Sequence, residues 1–201
     1  IEVLKIHADM ELDIENIIYD SRKVTPGSLF VAVSGFVTDG NKYIPMALEK
    51  GAAVIVTATE PQEDIPYVLV RSDRLALAQL GANFYNHPAK AVKLIGITGT
   101  NGKTSSTLLL KHVLETTIGA KVGLMGTMEN MIGDLRIPTE RTTPESLDLQ
   151  AKSYGLSGAK ELLALNVGNC AEMEDYHFFL ENNYYGGGYL DSLVKALELT
   201  D

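Results

Sequence analysis

The sequence predicts an α/β protein in two units: a small mixed sheet with helices to about residue 88, then an incomplete parallel sheet opened by a glycine-rich turn. Three observations predict this. Between residues 17 and 85, short apolar runs of strand length alternate with stripes of helical period. A further apolar run at 92–97 leads through glycines into a helical segment and then another apolar run at 121–124, the strand–helix–strand order of a parallel crossover unit. The composition, 45% hydrophobic and 21% charged over 201 residues, is that of a globular chain long enough for one large domain or two small ones.

Taken in order, Ile17-Ile18-Tyr19 reads as a short strand closed by the polar Asp20-Ser21-Arg22. Pro26-Gly27 marks a turn, and Leu29-Phe30-Val31-Ala32-Val33 is a continuous apolar run of strand length. Asp39-Gly40-Asn41 turns the chain into a helix with Ile44, Ala47 and Leu48 on one face and Gly51 as its C-cap. Residues 53–56 and 67–70 read as buried strands. From 72 to 85, Leu75, Leu77, Ala78, Leu80 and Ala82 form a helical stripe, ended by Asn86-His87-Pro88. In the second unit a strand over 92–97, a helix over 103–116 and a strand over 121–124 precede a small hairpin, with Gly133-Asp134 at its turn. Residues 160–165 read as a short helix, 182–188 as a loop, and 189–199 as a helix with Leu190, Leu193, Val194 and Leu197 at helical spacing.

Charge and cysteine content narrow the function. Seventeen Lys and Arg against twenty-six Asp and Glu leave a net charge of −9, unlike a nonspecific nucleic-acid binder, whose affinity comes from neutralising phosphates with cations. No apolar run approaches the roughly 18–20 residues that cross a bilayer, and the first residues lack the basic and apolar regions of a signal peptide. One cysteine, Cys170, excludes an intrachain disulfide and suits a reducing cytosol. The expected location is cytoplasmic, with no nucleic acid as partner and no membrane insertion. His7, His87, His112 and His177 show no metal-ligand spacing, and Glu172, Glu174 and Asp175 read as a solvated acidic face.

The chemical signal is Gly96-Ile97-Thr98-Gly99-Thr100-Asn101-Gly102-Lys103-Thr104-Ser105, placed between a strand and a helix. Glycines let successive backbone N–H groups turn inward onto an anion, and the following helix adds the partial positive charge of its N-terminus. Lys103 supplies a cation for β- and γ-phosphates, and the Thr104 hydroxyl is placed to ligate Mg²⁺. The predicted nucleotide cradle is Gly99, Thr100, Asn101, Gly102, Lys103, Thr104 and Ser105, with Lys103 as the catalytic group. The general phosphate-loop spacing would put a glycine at position 97, which is Ile97; the chain carries the tighter Gly-Thr-Asn-Gly-Lys-Thr.

That form of loop resembles the one used by the Mur ligases and by folylpolyglutamate synthetase. Other segments narrow the resemblance: Asp20-Ser21-Arg22 through Pro26-Gly27-Ser28-Leu29-Phe30-Val31-Ala32, then Asp39-Gly40-Asn41-Lys42-Tyr43-Ile44-Pro45, Gly123-Leu124-Met125-Gly126-Thr127, and Thr142-Thr143-Pro144-Glu145-Ser146. Together, over about residues 15–150, they look most like the members of the Mur ligase family that add the third residue of the peptide. The resemblance implies a UDP-substrate-binding domain over 1–88 and the start of a central P-loop ATP-binding domain over 89–150. It implies a ligase that uses ATP and Mg²⁺ to activate a peptide carboxylate of UDP-N-acetylmuramoyl-L-alanyl-D-glutamate as an acyl phosphate, which an amino acid's amine attacks. Ser21 would lie near the uridine diphosphate, and Thr142 and Thr143 would contact the muramoyl peptide. Read without the resemblance, Asp20-Ser21-Arg22 is a polar turn closing a strand, and Thr-Thr-Pro-Glu is a helix start with an acidic first turn; both readings hold together. After Gln150 the resemblance is expected to stop, leaving 151–201 as an acidic, Tyr- and Gly-containing tail with a terminal helix. A binding fragment without turnover, or another Mur-type or folylpolyglutamate-type ligase, is the alternative.

Overall fold

The computed structural model describes residues 1–35, 39–88, 93–97, 101–126, 128–138, 145–154 and 161–166. The predicted loop at 182–188, the helix at 189–199, Cys170, His177 and the acidic residues 172–175 lie outside the described residues. The chain forms two compact units, Ile1–Gly81 and Ala82–Asp201.

In the first unit, β1 (Val3–His7), β2 (Asn16–Ile18), β3 (Ser28–Val31), β4 (Val54–Thr57) and β5 (Tyr67–Val70) form one sheet in the order β1-β5-β4-β3-β2. β2 through β5 run parallel and β1 pairs antiparallel with β5. The helices are α1 (Ile44–Glu49), which continues a 3₁₀ turn over Gly40–Tyr43, and α2 (Asp73–Phe84). Ile18, Phe30, Ile55 and Tyr67 stand in one cross-strand row, and Phe30 and Ile55 are almost fully buried. Ala47 and the flanking Ile44 and Leu48 pack on the same cluster, which explains the apolar face of α1. Val31, Val56 and Val70 are buried as well. β3 and β4 thus need apolar residues at successive positions, as parallel strands covered on both faces do.

β1 was not foreseen. All five of its residues are exposed, so Val-Leu-Lys-Ile-His has no buried face for a period to reveal. Polar pairs fasten it to its neighbours: Lys5 Nζ donates to Glu60 at 2.5 Å, and His7 Nε2 lies 2.8 Å from Asp64. The Glu60 carboxylate, with the Tyr67 hydroxyl, raises the Lys5 pKa above its ordinary value.

In the second unit the sheet order is β6-β10-β7-β8-β9, with β6 (Lys93–Ile97), β7 (Lys121–Met125), β8 (Glu129–Ile132), β9 (Leu135–Pro138) and β10 (Glu161–Asn166). β6 and β7 run in the same direction, as the crossover pattern predicts, but they are not neighbours: β10 lies between them, parallel to both. The short helix expected at 160–165 is therefore a strand, and a central one. Leu162-Leu163-Ala164-Leu165 is a short apolar run whose periodicity cannot separate a buried helix from a buried strand; the slot between β6 and β7 decides it. α3 (Lys103–Ile118) packs on β7, β10 and β6 through a core of Ile95, Ile97, Leu114, Ala120 and Val122. β8 and β9 form the expected hairpin, with Gly133 at φ 56° in its two-residue turn. α4 (Ser146–Tyr154) begins just after Pro144-Glu145, where a helix start was read.

One glycine is set by space. A Cβ on Gly40 would lie 2.5 Å from the Val33 carbonyl oxygen and 2.6 Å from its nitrogen, because the Gly40 N–H donates to that carbonyl at 2.9 Å. Gly40→Ala should destabilise the first unit by about 3 kcal/mol, the upper range for an overpacked site. A lowered urea midpoint checks this; an unchanged midpoint contradicts it.

Candidate phosphate-binding and substrate-binding sites

Of the predicted cradle, Asn101, Gly102, Lys103, Thr104 and Ser105 are described, whereas Gly99 and Thr100 lie outside the described residues, as do Thr142 and Thr143. Gly102 is the N-cap of α3 with φ 78° and ψ −5°, a left-handed conformation that costs a residue with a Cβ roughly 1–2 kcal/mol. Among the described residues, a Cβ there would meet nothing within 4 Å. The helix ladder opens with the Ser106 N–H on the Gly102 carbonyl at 2.9 Å. The amides of residues 102–105 therefore stand ahead of the ladder, at the positive end of a helix of sixteen residues. Lys103 is the first helical residue and half-buried, and Thr104 follows it in the same turn.

Two polar residues on the buried face of α3 escaped the sequence reading. Thr107 is fully buried and its hydroxyl donates to the Thr104 carbonyl at 2.9 Å, which fastens the first turn behind Lys103 and Thr104. Lys111, 8% exposed, pairs with Glu115 one turn on. The only signal for either was an i, i+4 spacing shared with apolar neighbours.

In the first unit, Asp20-Ser21-Arg22 follows β2 as a 3₁₀ turn over Ser21–Lys23. Asp20 Oδ1 accepts from the Arg22 backbone N–H at 3.0 Å and from Arg22 Nε at 2.9 Å, and Oδ2 accepts from Nη2 at 2.7 Å. The Arg22 side-chain bonds dominate in lowering the Asp20 pKa to about 2. Lys50 Nζ donates to the Arg22 carbonyl at 2.8 Å, and Ser21 is buried within the turn. The polar turn closing a strand is thus present.

Beyond β3, a second polar cluster closes the carboxyl edge of the sheet. The Ser34 N–H donates to Asp73 Oδ2 at 2.8 Å, and Ser34 bridges to Asp39. Asp39 Oδ1 accepts from the Asn41 backbone N–H at 2.9 Å and from its Nδ2 at 2.7 Å, and these bonds lower the Asp39 pKa. The fully buried Thr57 donates to Asn41 Oδ1 at 2.7 Å. Asp39-Gly40-Asn41 reads in the sequence as a turn into a helix and as part of the segment that carries the family resemblance; its tie to Thr57 and the Asp73 bond to Ser34 join residues too far apart in sequence to be seen there. Among the described residues, no helix is long and apolar enough to cross a membrane.

A left-handed glycine opening a lysine-headed helix, beside the parallel strands β6, β10 and β7, is the geometry that phosphate-binding α/β units use. Sequence comparison narrows the class. Residues 13–91 match the description "Mur ligase family, catalytic domain" and residues 97–176 match "Mur ligase middle domain", so the glycine-rich loop falls in the second match. The chain belongs to the Mur ligase family. It is 43% identical over 195 residues to the UDP-N-acetylmuramoyl-L-alanyl-D-glutamate–2,6-diaminopimelate ligase of Clostridium tetani, covering 91% of this chain and 39% of that protein. Among solved structures it resembles a UDP-N-acetylmuramoyl-L-alanyl-D-glutamate–2,6-diaminopimelate ligase (TM-score 0.65, 24% identity, 82% of this chain and 34% of the other). It also resembles the MurF ligase of Thermotoga maritima in complex with ADP (TM-score 0.55, 22% identity, 85% and 36%). The chain thus spans little more than a third of the length of these proteins. The middle-domain match runs to residue 176 and the Clostridium tetani alignment covers 91% of the chain, so the likeness continues past Gln150, where it was expected to end.

The Asp20–Arg22 pair has a defined pH signature. The folded pKa lies below the unfolded value of 3.8, so the pair's contribution is fully present above about pH 4 and is lost as pH falls through about 2. Arg22→Ala should lower the thermal midpoint at pH 6 and converge with the unsubstituted chain near pH 2. A difference that persists unchanged at pH 2 contradicts the assignment.

Proposed function

We propose that this chain carries the substrate-holding and ATP-holding parts of an ATP-dependent ligase that adds the third amino acid to UDP-N-acetylmuramoyl-L-alanyl-D-glutamate. The observation that carries the proposal is the left-handed Gly102 opening α3 directly onto Lys103. ATP, when bound, supplies the phosphoryl group that turns a peptide carboxylate into a displaceable acyl phosphate. The chain's own part is positioning and charge. The amides of 102–105 and the Lys103 ammonium hold the β- and γ-phosphates, and neutralising these oxygens is the main requirement of phosphoryl transfer. Thr104 is the hydroxyl ligand for Mg²⁺. The left-handed Gly102 and the helix behind it fit a phosphate chain, and the ADP named in the Thermotoga maritima MurF structure supports the same ligand class.

The first unit holds the uridine diphosphate portion at the carboxyl ends of its parallel strands, beside Ser21, and Thr142 and Thr143 hold the muramoyl peptide. The names of the relatives favour diaminopimelate as the incoming amino acid, and a cytoplasmic location follows from those substrates. A second reading is a chain that binds the same ligands without turnover, because the features described, a helix N-terminus headed by Lys103 and a polar sheet edge, are binding features.

Phosphate release with ATP, Mg²⁺, UDP-N-acetylmuramoyl-L-alanyl-D-glutamate and diaminopimelate separates the two readings: turnover supports the ligase, and binding without release supports the second reading. In a ligase carrying the complete family sequence, Lys103→Ala should abolish turnover, by about 10³-fold or more, the scale for losing a charge that stabilises transferring phosphate. Binding of the UDP-linked dipeptide should survive. Unchanged turnover in Lys103→Ala ends the phosphate-loop assignment.

A further inference from the structure

The carboxyl edge of the first sheet gathers the exits of four parallel strands: Ser21 follows β2, Ser34 follows β3, Thr57 ends β4 and Asp73 follows β5. Ligands of open α/β sheets bind outside these carboxyl ends. Asp73 joins two of the exits that are not neighbours, because β4 lies between β5 and β3. Its carboxylate, on a residue only 5% exposed, accepts the Ser34 N–H at 2.8 Å.

Helix capping does not account for this aspartate. The α2 cap is Ser72, whose Oγ accepts the Leu75 N–H at 3.3 Å, and the Asp73 carboxylate reaches instead to a residue thirty-nine positions away. The chain that returns to this turn is fixed separately, by the Gly40 N–H on the Val33 carbonyl and by the Asp39–Asn41–Thr57 bonds. The Asp73 bond, together with the Ser34–Asp39 bridge, therefore holds the exposed Ser34 where the chain leaves β3. A buried carboxylate would repel a diphosphate, so its contribution to such a ligand runs through Ser34 and not through contact.

We infer that Asp73 is a positioning residue for the uridine diphosphate site, holding Ser34 at the carboxyl edge of the sheet in the place the nucleoside diphosphate requires. This rests on the proposed function of the first unit. Asp73→Ala should weaken binding of UDP-N-acetylmuramoyl-L-alanyl-D-glutamate about tenfold, equivalent to ~1.4 kcal/mol, and leave Mg-ADP binding at the phosphate loop unchanged. Asp73→Asn keeps an acceptor oxygen and should restore most of the affinity. Ser72→Ala, which removes the helix cap but not the Ser34 bond, should lower the melting temperature without weakening the UDP ligand.

Calorimetry on the 201-residue chain and these variants tests the inference. No binding of the UDP ligand by the unsubstituted chain overturns the reading of the first unit, and the inference with it. Full-strength binding by Asp73→Ala, an equal loss in Asp73→Asn, or an equal loss in Ser72→Ala overturns the inference alone. Should Asp73→Ala fail to fold, hydrogen exchange at the Ser34 amide of the unsubstituted chain decides: saturating UDP ligand should slow it about tenfold, through ~1.4 kcal/mol of added protection, and an unchanged rate overturns the inference.

Discussion

The turn from β6 into α3 is the constraint on which the second unit depends. Gly102 opens α3 in a left-handed conformation, and the helix lies on the sheet over a core that includes Leu114, Ala120 and Val122. That packing fixes the helix N-terminus at the carboxyl edge of β6. A dipole end that frayed or swung would give little to an anion, since the effect falls off within one turn. Thr107 tightens the same point from below, through its bond to the Thr104 carbonyl. Sequence sets the glycine, packing sets the helix, and the two together place Lys103.

The two units build their proposed ligand-binding edges by different means. The second presents backbone amides and one lysine at a helix N-terminus. The first places side chains: a 3₁₀ turn clamped by Asp20 and Arg22, and a β3 exit clamped by Asp73, Asp39, Asn41 and Thr57. Acids make these clamps: Asp20 and Asp39 are partly exposed, Asp73 is buried, and each accepts from N–H donors, the condition under which a buried carboxylate such as Asp73 is tolerated.

Local information was legible in the sequence, and long-range information was not. β3, β4 and β5 are continuous apolar runs because both their faces are covered, and α3 follows a loop whose glycines and lysine stand at fixed spacing. β1 was invisible because an exposed edge strand has no apolar face to repeat. Residues 160–165 read as helix because Glu, Leu and Ala favour helix locally; the gap between β6 and β7 overrides that preference and makes 161–166 a strand. That a helix opens at Gly102-Lys103-Thr104 could be read from spacing alone. Asp73 could not, since its partner is set by the sheet and by nothing near it in the chain.

The central claim is that the amides ahead of the α3 ladder form an anion cradle. The most direct measurement is an amide nitrogen–proton spectrum of the labelled chain titrated with Mg-ADP. The account predicts saturable shifts at Gly102, Lys103, Thr104 and Ser105, with the amides of residues 16–70 unmoved. Unmoved amides at 102–105 under saturating nucleotide, or shifts confined to residues 16–70, would contradict it.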